Sequence, residues 1–117
     1  MNFTLDINKV VSDMIQASAS SLIKGGKQAT EYATHEYAGF IADIDHVQTM
    51  AEQGTISKAE AQALVEQHKL SMQAVLVAIE GLSLIAVQNA INAALAVLNQ
   101  ALSAALGSAF NTLKFRL

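Results

Sequence analysis

Residues 81–113 contain no Asp, Glu, Lys or Arg, a run of 33 residues, and this constrains the chain more than any other feature. A helix on a solvated surface normally keeps charged side chains on its outer side. All ten acids lie before the run, from Asp6 to Glu80, with Lys9, Lys24, Lys27, Lys58 and Lys69; Lys114 and Arg116 follow it. Residues 1–80 therefore carry −5, and the net charge of −3 is unevenly distributed. Alanine is abundant and proline absent, so the neutral segment reads as long helix. The expected fold class is all-α: a short N-terminal helix, then a long αα-hairpin whose second arm is alanine-rich and charge-free.

One helical domain is expected over residues 1–117. In the first helix, Ile7, Val10, Val11, Met14, Ala17 (or Ser18) and Leu22 recur at spacings of three and four, the helical period. Asp6 stands where an N-cap belongs. Gly25-Gly26 ends this unit, since glycine accepts the backbone conformations that terminate helices. A second helix is expected over 27–53, with the stripe Ala33, Tyr37, Phe40, Ile41, Ile44, Val47 and Ala51. Gly54 follows as a C′ glycine, and Ser57-Lys58-Ala59-Glu60 has the form of a capping box. Together these signals predict a turn at 54–57. The third helix is expected over 57–113, with a kink near Gly81 if that glycine does not simply serve close packing. At that length it would exceed what one small globule buries.

From Gly81 the segment aligns with itself in elevens: Gly81–Ile91, Asn92–Leu102 and Ser103–Leu113. Eleven residues make three turns, so each column of the repeat forms a nearly straight stripe. Leu84, Leu95, Leu106 and Leu117 share one column, and Ile91, Leu102 and Leu113 another. Gln88 and Asn99 share a third, with Asn89, Gln100 and Asn111 beside them. The wheel predicts an aliphatic ridge, a smooth face of small residues and an amide-rich arc. Amides buried without partners would each cost about 1–3 kcal/mol, whereas amides on identical stacked subunits can bond in ladders. The expected self-association surface is therefore Leu84, Ala86, Gln88, Asn89, Ala90, Ile91, Asn92, Ala93, Leu95, Val97, Asn99, Gln100, Ala101, Leu102, Ala104 and Leu106, with Phe110 and Phe115 in the tail.

Little in the chain suggests catalysis. No Gly-x-Ser-x-Gly elbow or phosphate loop occurs, and the lysines form no basic stripe of the kind nucleic-acid binding needs. Cysteine is absent, which removes disulfide and zinc-cysteine scaffolds. His35, His46 and His68 lie near Asp43 and Glu66 in the expected hairpin register, but the Glu-x-x-His pairs of a di-iron bundle are missing. His68, on the stripe Leu64, His68, Met72, Val75 and Ile79, reads as a hydrogen-bonded packing residue. No enzyme activity, cofactor, metal, small-molecule substrate or nucleic-acid partner is expected.

Three functional readings remain. The first is a self-assembling structural protein, a homo-oligomeric ring, tube or filament built through residues 75–113, with the chain itself as partner. The second is a membrane-active or membrane-inserted protein, a pore component or holin-like, with a lipid membrane as partner. The neutral segment is long enough to cross, but ten Asn, Gln, Ser and Thr interrupt it and its longest apolar run is Ala93–Leu98, short of the ~18 expected of a span. The third is a small adaptor bundle. Asp6 and Asp13 interrupt what a secretory signal would need, so the expected location is the cytoplasm, or export without a classical signal peptide, with membrane association attached to the second reading.

Overall fold

A computed structural model describes residues 6–106. Those residues form α1 (Ile7–Leu22), a short 3-10 turn (Ile23–Gly25), α2 (Gly26–Glu52), α3 (Lys58–Val77) and α4 (Leu84–Leu106). No strand occurs among the described residues; the protein is all-helical. Its longest dimension, 42 Å, matches the length of α2, since 27 residues at 1.5 Å each span about 40 Å.

The starts of α1 and α3 and the end of α2 have local causes. The Asp6 carboxylate accepts from the Lys9 backbone N–H at 3.2 Å and caps α1. Val10, Val11, Met14, Ser18 and Leu22 are its buried face, while Ala17 is exposed. α2 buries Ala29, Ala33, Tyr37, Phe40, Ile41, Ile44, Val47 and Gln48, one continuous stripe at helical spacing. It stops before Gly54, whose φ of +73° suits a residue without a Cβ. Ser57 then starts α3: its Oγ accepts from Glu60 N–H at 3.0 Å, and Glu60 Oε1 accepts from Ser57 N–H at 2.9 Å. α3 lies alongside α2, burying Ala61, Val65, Met72 and Leu76. Of the expected stripe, Met72 and Ile79 are buried and Leu64 and His68 half-buried, whereas Val75 turns outward.

The single helix expected over 57–113 does not form. α3 ends at Val77 and α4 begins at Leu84. Gly81 adopts φ +93°, a conformation that side-chain-bearing residues rarely take. A Cβ on it would collide with the Lys24 carbonyl oxygen. The 78–83 link therefore rests directly on the 23–25 turn, with Leu82 against Gly25. Ser83 restarts the helix, its Oγ accepting from the Ala86 N–H at 3.1 Å. α4 consequently starts beside the end of α1 and packs most extensively along that helix.

Candidate self-association surface

The break at 78–83 turns part of the expected association surface into core. Val87, Ala90, Ile91, Ala94, Leu95, Leu98 and Leu102 are buried in the chain's own interior. Ala90, Ile91, Leu95 and Leu102 are thus removed from the set available to another subunit. The expected ridge and smooth face meet along one side of the helix, where Ala90 and Ala94 accompany the larger aliphatics. Small side chains let helix axes approach closely, which suits them to the α1 contact. Ala86, Ala93, Val97 and Ala101 sit half-buried at its edges.

The outward side of α4 is the amide arc. Gln88, Asn89, Asn92, Asn99 and Gln100 are exposed, with Ala96, Ser103 and Ala104 among them. Leu84 is 48% exposed at the helix start, unlike Leu95 of the same column, because it stands at the end of the bundle rather than along α1. Leu106 closes the described helix, and its side chain, with Phe110, Leu113 and Phe115, lies outside the described residues. A groove of about 250 Å³ borders the arc, lined by Glu66, Lys69, Leu70 and Gln73 of α3 and by Gln88, Ile91 and Asn92 of α4. Leu70 is 62% exposed there. The sequence stripe passes over it, since it follows Glu66 and precedes Gln73 on the polar side of α3.

The histidines sit elsewhere. His68 Nδ1 lies 3.1 Å from an Asp43 carboxylate oxygen, joining α3 to α2. A cleft of about 160 Å³ beside this pair is lined by His35, Glu36, Gly39, Phe40, Ser71 and Met72. Among the described residues, no group of three or more His, Asp or Glu side chains is arranged to hold a metal ion. His46 is exposed and is not among the residues of this cleft.

Among the described residues, two titrating groups are displaced. Burial raises the Tyr37 phenol, an effect its hydrogen bond with Ser18 partly offsets. The capping-box bonds from Ser57 lower the Glu60 carboxyl. Both mark structural positions, one in the core and one at a helix start.

Leu84–Ala105 is, among the described residues, the one helix long and apolar enough to cross a membrane by length and composition, with mean hydropathy 1.2 and a third of it buried within the bundle. The core helix of a water-soluble bundle meets the same criteria of length and composition. The chain matches no known protein-family model, no curated protein and no solved structure.

Proposed function

We propose that the chain is a self-assembling structural protein, forming a homo-oligomeric ring, tube or filament through the outward face of α4. The observation that carries this reading is the exposed, uncharged arc of Gln88, Asn89, Asn92, Asn99 and Gln100. A solvent-facing helix side more than five turns long without one charge is costly to solubility and favourable to close approach of copies. The undecad repeat keeps the arc straight, so amides of a second α4 meet it at matching heights. Each can then donate and accept, as in stacked amide ladders. The adjacent Leu70 groove adds apolar area to the same side.

The runner-up is a membrane-active helix, supported by the length and hydropathy of Leu84–Ala105. On that reading the bundle opens, α4 leaves α1, and the amides line an oligomeric pore, because facing hydrocarbon would leave them unpaired. Adaptor binding through the same arc is the third reading. Solution mass with and without detergent tests these proposals. A discrete oligomer or polymer in buffer alone supports assembly in water. Monomer in buffer, with oligomer found only in micelles or vesicles, supports the membrane reading. Monomer in both leaves the adaptor reading.

A further inference from the structure

Leu70 in the middle of α3 apart, the exposed large aliphatics and aromatics of the described residues are not scattered. Ile23 (74% exposed), Ile85 (71%), Leu84, Tyr32, Val77 and Val75 all project from one end of the bundle, where the 23–25 turn and the 78–83 link touch through Lys24 and Gly81. Scattered single apolar residues need no explanation, but a contiguous group marks a contact surface. The charge at this end also differs from the rest. Lys24 and Lys27 balance Glu31 and Glu80 there, while the remaining described residues hold three lysines against eight acids.

We infer that this end of the bundle is a second self-association surface, occupied by the same end of another copy. Two features select a second copy over other occupants. First, the end is neutral with both signs present, so two such ends meet without net repulsion. Lysines of one copy can then face glutamates of the other, while the acidic bodies stay apart. Opposite charges brought together across a contact favour encounter and register. Second, protrusion and recess coexist: a cleft of about 400 Å³ lined by Gln28, Tyr32, Val75, Ala78, Ile79 and Glu80 opens at the same end as the protruding Ile23 and has room for a branched aliphatic side chain. The contact is isologous, each copy giving and receiving the same groups. This surface is separate from the α4 arc. With the α4 contact it gives each copy two distinct interfaces, so more than two copies can join.

The test uses the full chain and its Ile85→Glu variant, with Asn92→Asp on the α4 arc and the double variant alongside. Ile85 is exposed, so the helical circular dichroism of each variant should match wild type. The inference predicts that Ile85→Glu reduces particle mass by at least twofold and that the double variant is monomeric. Unchanged mass for Ile85→Glu, with reduced mass for Asn92→Asp, overturns this inference and leaves the α4 proposal standing. Reduced mass for Ile85→Glu alone supports it and removes the α4 proposal. A monomeric wild type overturns both. Monomer in buffer that sediments with phosphatidylcholine vesicles, and ceases to do so on Ile85→Glu, also overturns it and assigns this end to lipid.

Discussion

The Tyr37 hydroxyl donates a 3.0 Å hydrogen bond to Ser18 Oγ, and Ser18 Oγ donates in turn to the Met14 carbonyl at 2.8 Å. Both residues are fully buried, so this chain of bonds fixes α1 against α2 within a core whose other buried polar side chain among the described residues is Gln48. Removing the acceptor strands the phenol, whereas removing the phenol leaves Ser18 bonded to its own helix. Ser18→Ala should cost about 1–3 kcal/mol and Tyr37→Phe about 0.5–1.5 kcal/mol, measured by denaturant unfolding. The reverse order would contradict this assignment of roles.

The same phenol gives a pH dependence. Burial raises its folded pKa above the ordinary 10.0, so the unfolded chain loses this proton first. Its contribution to stability is present in full below pH 10.0 and is lost as pH rises through the folded value. The stability difference between wild type and Tyr37→Phe should therefore be constant at neutral pH and shrink on the alkaline side. A difference that stays constant there would show that Tyr37 ionises equally in both states.

Two glycines with positive φ separate backbone strain from collision. At Gly54 an added Cβ meets open space, while at Gly81 it meets the Lys24 carbonyl. Gly54→Ala should cost about 1 kcal/mol from conformation alone, with the β-branched Gly54→Val at least as much. Gly81→Ala should cost clearly more, because the 78–83 link must also lift off the 23–25 turn. Equal losses by thermal or denaturant unfolding would show that the two loops do not press together.

The Asp43–His68 pair is half-exposed, and ion pairs in such settings contribute about 0–1 kcal/mol. His68→Ala should accordingly lower stability by less than 1 kcal/mol, and His35→Ala and His46→Ala should leave particle mass unchanged. Stoichiometric zinc or iron in purified protein, lost with these variants, would instead give the histidines a metal-binding role.

The extent to which these features are legible in the sequence follows from how local their causes are. The buried faces of α1 and α2 follow their 3.6-residue spacing, and the Ser57–Glu60 cap is visible as a four-residue pattern, because both are set within one or two turns. The end of α3 also has a local signal: Glu80-Gly81-Leu82-Ser83 places a helix-ending glycine two residues before a capping serine. Alanines and aliphatics at helical spacing on both sides hide it. What decides the break is tertiary, the contact between Gly81 and Lys24. Once α4 folds back on α1, its larger aliphatics become core and only the amide arc stays outside. The apolar end of the bundle is less legible still, since Ile23, Tyr32, Val77 and Ile85 are far apart in sequence and meet only through that fold.

Light scattering on wild type and Asn92→Asp tests the central claim most directly. Asn92 is exposed on the arc, so a new carboxylate there should leave a monomeric bundle unchanged in fold and mass. In an assembly it places like charges at matching heights on neighbouring copies, where their repulsion is strong at close approach and weakened by salt. The account predicts a multimeric wild type, a smaller particle for Asn92→Asp, and partial recovery of mass as salt is raised. The same monomer mass for both proteins would contradict it.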